Sequence, residues 1–356
     1  MKNILVLGGT GAIGKALIDL ISSNPSISCV VTSRRKQYRN GRVIYVQGNA
    51  HNKEFLTSLL EKKWNAIVDF MSYTTEELKD RIELMLSATD QYIFLSSSRV
   101  YAGTDSLLTE DSPRLLDVTN DKEYLKTDEY ALAKAREENI IRSFGKNNYT
   151  IVRPYITFSE TRFQLGVMEK ENWLYRALHG RTIVFSKDIA QKVTTLSYGA
   201  DVAKGIYCTI CNEKAYGKTF HITTTEHHTW DDILKMYLKA IQELTGKKPD
   251  VAYTDNWESW QGGFEYQVKY DRLFNRRFDN SAILKVASNM EFDDLYNSIK
   301  RAMSEMVKHP SFGVVDYAKE AVKDRFTGKW TKLSEIPGFR GKVKYMLVRL
   351  GLVQYR

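Results

Sequence analysis

The sequence predicts an α/β fold: a doubly wound parallel sheet followed by a smaller lobe. Three observations predict it. Through about residue 155, short apolar runs alternate with segments of helical periodicity. The first apolar run passes directly into a glycine-rich turn that opens a helix. The chain of 356 residues is 43% hydrophobic along its whole length, enough for a large domain with an appended lobe.

Strands are expected at residues 3–7, 28–32, 43–47, 66–70, 92–96 and 150–153, and helices at 12–22, 53–62, 75–87 and 128–143. Buried apolar strands alternating with helices require helices on both faces of a parallel sheet. Residues 103–127 are polar and turn-rich and read as a long loop. Beyond Pro154, helices are expected at 166–178, 200–211, 231–244 and 292–307, and strands at 182–185, 193–196 and 219–222. Thr229 with Asp232 three residues on is an N-cap signal. The expected organisation is a dinucleotide-binding domain over 1–160 and a substrate-binding lobe over 161–318 that lends some elements to the sheet. A basic tail occupies 319–356.

The turn after the first strand reads Gly8-Gly9-Thr10-Gly11-Ala12-Ile13-Gly14. Gly8 permits the sharp strand-to-helix turn, Gly11 lets backbone approach a pyrophosphate, and Gly14 lets the helix pack close to the strand. The helix N-terminus then offers free N–H groups and a positive dipole end. This is the pattern of a Rossmann unit. NAD-binding units place an acid after the second strand. Here Ser33-Arg34-Arg35 stands there. Arginine pairs with a 2′-phosphate, so NADP is the expected cofactor, with NAD as the alternative.

Tyr130 and Lys134 lie four apart on the helix expected at 128–143, so they share a face. Tyrosine alone is too weak an acid to act as a base at neutral pH. A neighbouring ammonium favours the phenolate, which can exchange a proton with a hydroxyl while hydride moves. Ser96, Ser97 and Ser98 end the strand at 92–96, at the sheet edge where open α/β sheets bind ligands.

With these motifs the chain resembles the extended short-chain dehydrogenase/reductase family, the nucleotide-sugar epimerases and dehydratases. The resemblance rests on Gly8-x-x-Gly11-x-x-Gly14, Ser97-Ser98-Arg99-Val100-Tyr101, Thr109-Glu110-Asp111-Ser112-Pro113, Tyr130-x-x-x-Lys134 and Arg153-Pro154. It covers about residues 1–160 and continues weakly to Asp201-Val202-Ala203. It implies Ser97, Tyr130 and Lys134 as the catalytic set. It implies Gly8, Thr10, Gly11, Ile13, Gly14, Arg34, Asn49, Phe70, Lys134 and Pro154 as cofactor contacts. Ser98, Arg99 and Lys192 become the substrate-side candidates. The family's dehydratases carry an acid just after the catalytic hydroxyl, where this chain has Ser98-Arg99, which counts against dehydration. Asn49 stands where an aspartate is usual.

Other features carry less. The three cysteines, Cys29, Cys208 and Cys211, fit a reducing compartment without a disulfide framework. Cys208-x-x-Cys211 on an expected helix reads as two packed thiols, and His227-His228 as a loop before a capped helix; no metal site is expected. Trp257, Trp260, Tyr266 and Tyr270 read as core packing, with a sugar or base pocket as the alternative. The formal charge of +9 is concentrated in the tail, where residues 319–356 hold ten Lys/Arg against three Asp/Glu. Within it Val343, Met346, Leu347, Leu350 and Val353 recur at helical spacing beside Lys342, Arg349 and Arg356. Such a helix docks on its own protein, on a second subunit, or on an anionic membrane surface.

The sequence thus supports an NAD(P)-dependent ketoreductase or epimerase of a nucleotide-linked sugar, homo-oligomeric and cytoplasmic, with no nucleic-acid partner. A non-catalytic Rossmann protein, RNA-associated or regulatory, is the other class. The intact Ser97, Tyr130 and Lys134 set separates the two.

Overall fold

Ile4, Leu5, Val6 and Leu7 are all fully buried on strand β1 (Lys2–Leu7). Their side chains alternate between two cores, as the two-residue period of a strand demands. Ile4 and Val6 join Leu17, Ile18 and Ile21 of α1 (Ala12–Ser23). Leu5 and Leu7 enter the cluster on the opposite face. A strand buried on both faces is what the continuous apolar run predicts.

In this computed structural model, which describes residues 1–35, 38–258 and 264–355, the chain forms two compact units. The first comprises Met1–Ser159, Thr195–Glu226 and Arg276–Leu295; the second comprises Glu160–Thr194, His227–Asn275 and Tyr296–Arg356.

The first unit is built on an eight-stranded sheet. Its remaining labelled strands are β2 (Ile27–Ser33), β3 (Tyr38–Asn40), β4 (Val43–Gln47), β5 (Ala66–Asp69), β6 (Tyr92–Leu95) and β7 (Tyr149–Pro154). The order runs strand Lys218–Ile222, β7, β6, β5, β1, β2, β4, β3. All neighbours are parallel except β3 with β4. The chain winds outward from β1 in one direction through β2 and in the other through β5. That reversal leaves a crevice beyond the carboxyl ends of β1 and β5. One face is covered by α1 and helix Gly199–Thr209. The other is covered by α2 (Lys53–Leu60), the pair α3 (Thr75–Lys79) and α4 (Ile82–Ser87), and, after the short helices α5 (Leu115–Val118) and α6 (Lys122–Leu125), by α7 (Tyr130–Ser143).

The expected doubly wound sheet is present, and its strands fall within a residue or two of expectation. Three helical expectations change. The helix expected over 75–87 breaks between Lys79 and Ile82, where the buried Arg81 turns back to donate to the Glu77 carbonyl. The loop expected over 103–127 contains α5 and α6, the latter capped by Asp121. The helix expected from 166 begins only at Leu174. Gly166 has φ +60° and turns a short hairpin between Gln164–Leu165 and Met168–Glu169. A Cβ there would stand 3.0 Å from the Phe185 ring.

The second unit packs helix Trp230–Thr245 by its own strand pair, Ile183–Ser186 parallel to Val251–Thr254. The helix opens with the expected cap, a full capping box between Thr229 and Asp232. Trp257 is buried, and the rings of Tyr266 and Tyr270 stack with centroids 6.2 Å apart. Trp260 lies outside the described residues. Helices Tyr317–Thr327 and Phe339–Arg349 close on a small core of Ala321, Ile336, Tyr345 and Val348. Among the described residues no helix is long and apolar enough to cross a membrane.

Candidate active site

The glycines after β1 have three different jobs, and the geometry separates them. Gly8 has φ +71°, a conformation open to glycine at little cost. Its N–H donates to Thr32 Oγ1 at 3.0 Å, tying the turn to β2. A Cβ on Gly14 would lie 2.7 Å from backbone atoms of Gly9, so α1 reaches this close only without a side chain there. A Cβ on Gly11 would meet nothing within 4 Å. Gly11 is also the N-cap of α1, and no side chain caps it. The N–H groups of the first turn of this three-turn helix thus have no side-chain cap. Thr10 is exposed in the same turn, and Ile13 is buried against the sheet.

At the rim of the crevice Arg34 is exposed just beyond β2, and Ser33 occupies the last strand position. Asn49, also exposed, uses Oδ1 to accept from the His51 N–H at 3.2 Å. Phe70 follows β5, is half-buried and packs on the core beside α1, while Pro154 ends β7 and is buried.

Beyond β6 the backbone tightens into a single 3-10 turn, Ser98–Val100. Ser97 caps it, its Oγ accepting from the Arg99 N–H at 3.2 Å, and it is 7% exposed. Ser98, a substrate-side candidate by sequence, is instead fully buried, and its Oγ donates to the Arg153 carbonyl at 2.7 Å. Its hydroxyl is consumed in joining β6 to β7. Arg99 donates to Glu129 Oε1 at 2.6 Å, and its guanidinium lies over the Tyr130 ring at 5.4 Å. Glu129 is itself the N-cap of α7 and accepts from Ala131 N and Tyr124 Oη.

Tyr130 and Lys134 occupy the first two turns of α7 in very different surroundings. Tyr130 is 40% exposed, whereas Lys134 is 2% exposed, its ammonium 4.5 Å from the Phe94 ring centre. Lys134 Nζ stands 2.9 Å from Glu137 Oε2. The two form a buried ion pair, and beyond it neither group has a further hydrogen-bond partner among the described residues. Burial pushes the Glu137 carboxyl up to about 7; Lys134 pulls it down, and Asp69 and Asp128 push it further up. Asp69, at the end of β5, is fully buried. It accepts from Tyr92 Oη at 2.8 Å and Met71 N at 2.9 Å, and burial raises its carboxyl against those bonds.

One turn further, Glu138 anchors the edge of the site. It accepts from Ser96 Oγ at 2.6 Å and from Arg153 Nε and Nη2 at 2.8 and 2.6 Å. Burial alone would raise its carboxyl, but the hydrogen bonds and charge of Arg153, with Arg142 and Ser96, hold it below the usual range. Arg153 also donates to the Glu110 carbonyl, and Glu110 Oε1 accepts from the His221 N–H. Thr109 to Pro113 and Arg153-Pro154 are therefore one structural clamp.

Ser97, Tyr130, Lys134 and the glycine loop all belong to the first unit, at the carboxyl ends of its strands. Lys192 belongs to the second unit, half-buried before strand Val193–Thr194. Sequence reasoning missed Asp69, Glu137, Glu138 and Gly199. A Cβ on Gly199 would lie 2.8 Å from the Ala12 carbonyl, so that glycine lets its helix seat against the phosphate turn. Glu137 and Glu138 had a readable signal: they stand three and four residues after Lys134, on its side of the helix.

The residues present fit a nicotinamide dinucleotide. The uncapped N-terminus at Gly11 suits a pyrophosphate, and the buried Lys134 ammonium, paired with Glu137 alone, has N–H donors left for a further acceptor. Gly8, Gly11 and Gly14 with the first turn of α1 would hold the phosphates, and Lys134 a ribose. Such a cofactor would supply hydride exchange at carbon.

Solved structures share this fold. An epimerase of the methanogen Methanothermobacter thermautotrophicus superposes with a TM-score of 0.67 at 14% identity, covering 86% of this chain and 92% of that one. UDP-glucuronic acid 4-epimerase from Bacillus cereus, in complex with UDP-glucuronic acid and NAD, gives 0.66 at 15%, covering 86% and 100%. dTDP-glucose 4,6-dehydratase of Bacillus anthracis, in complex with NAD, gives 0.65 at 15%, covering 87% and 97%. Among curated proteins, the chloroplast stem-loop binding protein of 41 kDa b of Arabidopsis thaliana is 22% identical over 254 residues, 67% of this chain. The match spans only 63% of that relative's length. The model of the NAD dependent epimerase/dehydratase family matches residues 4–222, from the first strand of the sheet to its last edge, and the chain belongs to that family.

Proposed function

We propose that this protein is an NAD(P)-dependent oxidoreductase of a nucleotide-linked sugar, working as a ketoreductase or an epimerase. The observation that carries the reading is Lys134. Its ammonium is buried beside Glu137 with N–H donors to spare, one helical turn from Tyr130 and in the same unit as the uncapped glycine turn. In this reading Tyr130 takes the proton of a sugar hydroxyl, or returns it. Lys134 and the Arg99 guanidinium over the ring favour negative charge on the phenol oxygen. Ser97 donates a hydrogen bond to the reacting oxygen, and its capping bond leaves its own O–H free for that. Arg99 is held by Glu129 and acts as a positioning residue. Lys192 holds the nucleotide, Arg34 reads a 2′-phosphate and so favours NADP over NAD, and the enzyme is a homo-oligomer. The relatives solved with NAD support the cofactor class.

The test is incubation with a panel of nucleotide sugars, following NAD(P)H absorbance and product stereochemistry together. Net cofactor turnover identifies a reductase, and a new stereoisomer without turnover an epimerase. Tyr130→Phe should reduce either activity by on the order of 10²–10⁴-fold with cofactor affinity nearly intact. Near-normal activity in that variant would remove the mechanism.

A second reading has one observation behind it, the stem-loop binding relative. In it the chain binds RNA and needs no turnover. A filter-binding assay with a hairpin RNA separates the two, since tight, salt-sensitive binding by a protein inert toward every sugar favours the second.

A further inference from the structure

The helix Phe339–Arg349 is apolar on two sides. One side is satisfied: Tyr345 and Val348 are buried against Ala321 and Ile336. The Tyr345 hydroxyl also donates to Asp324 Oδ2 at 2.8 Å. Among the described residues nothing covers the other side. Phe339 is 81% exposed, Val343 40%, Leu347 36% and Leu350 55%, with Leu352 at 69% just beyond. Phe339, Arg340, Val343, Lys344, Leu347 and Val353 line an open groove of about 260 Å³ there. The spacing of Phe339, Val343, Leu347 and Leu350 places them on one stripe along the helix.

The segment that carries this stripe has charge of a single sign. From Ile336 to Tyr355 there is no acidic residue, while Arg340, Lys342, Lys344 and Arg349 are all present. Arg349 lies over the ring of Trp330, itself half-exposed, at 4.3 Å. An exposed apolar stripe along one helix face is a candidate interaction surface. Two partners suit an apolar stripe, and the charge chooses between them. A second copy of the chain would press like charges together across a two-fold axis. An anionic bilayer would accept both features at once, burying the stripe at the acyl boundary and pairing the basic flanks with headgroups.

We propose that the helix Phe339–Arg349 and the residues just after it form a docking surface for an anionic phospholipid membrane, along which the helix lies without spanning it.

The full-length protein should co-sediment with vesicles of phosphatidylcholine plus phosphatidylglycerol and not with phosphatidylcholine alone. Raising the salt should release it. Leu347→Ser and Phe339→Ser should each weaken binding roughly tenfold or more. The pair Arg340→Glu and Lys344→Glu should weaken it on the order of a hundredfold or more. All four side chains are outside the buried side of the helix, so thermal melting should be unchanged. If one apolar variant lowers the melting point, the charge-reversal pair and the salt titration carry the test. Equal binding to both vesicle types, or no binding to either, would overturn the proposal. So would a wild-type dimer that becomes monomeric in Leu347→Ser, which would make the partner a second copy.

Discussion

Lys134 and Glu137 show how much one helical turn can demand of a fold. Each is buried, each carries a full charge when ionised, and each has the other as its close partner. A buried carboxyl raised above its unfolded value keeps its proton better in the native state. Between about pH 4.5 and about 7 the native protein therefore binds more protons, and raising the pH through that window lowers stability. Glu137→Gln removes the titration. The variant should gain on the wild type by on the order of 3 kcal/mol between pH 4 and pH 8. Thermal unfolding at both pH values measures this, and parallel pH dependence of the two proteins would show that Glu137 does not titrate there.

At the scale of elements, the turn between β1 and α1 follows from its glycines alone. Gly8 needs positive φ, Gly14 needs the missing Cβ, and Gly11 leaves the helix end open. All three needs are local, which is why the spacing of the glycines is enough to reveal them. The turn after β2 is different. Its composition suggests a phosphate partner, but an exposed Arg34 has no contact that fixes its role. Arg34→Ala should weaken NADP at least tenfold, the value of one charge-assisted hydrogen bond, and leave NAD nearly unchanged. Isothermal titration with both cofactors decides it; equal losses would mean that Arg34 does not read the phosphate. The failed helix at 166 marks the limit of periodicity. Val167 and Met168 are apolar on either account, and the left-handed backbone of Gly166, φ +60°, turns the chain into the hairpin instead of a helix.

At the scale of the molecule, the basic C-terminal segment begins inside the second unit. Arg176 Nη1 pairs with Glu320 Oε2 at 2.7 Å and with Asp324 Oδ1 at 3.0 Å, all fully buried. Lys323 Nζ joins Glu320 at 3.1 Å and also donates to the Asn172 carbonyl. Burial drives the Lys323 ammonium below its usual range, with Glu320 pulling it back. Glu320 is the carboxylate shared by Arg176 and Lys323, so its removal takes a counter-charge from both. Glu320→Ala should cost about 3–5 kcal/mol, and Arg176→Met with Glu320→Met should recover part of it. Calorimetric unfolding of the three proteins is the check, and an unchanged melting point for Glu320→Ala would show the network to be idle.

The sequence by itself determined the doubly wound sheet, the glycine turn and the shared face of Tyr130 and Lys134, because each depends on spacing within a few residues. The chain also carried the tail's apolar stripe and its charge. Tertiary structure alone decided which hydroxyls are spent, placing Ser98 on the Arg153 carbonyl and leaving Ser97 at the edge. It alone brought Glu138 to Arg153, Asp69 to Tyr92, and Arg99 to Tyr130. It split the tail stripe into a buried side and an exposed one. The reason is common to all of these. Burial and pairing depend on which distant segment arrives at a position, and a one-dimensional pattern records the residue's type and not its neighbours.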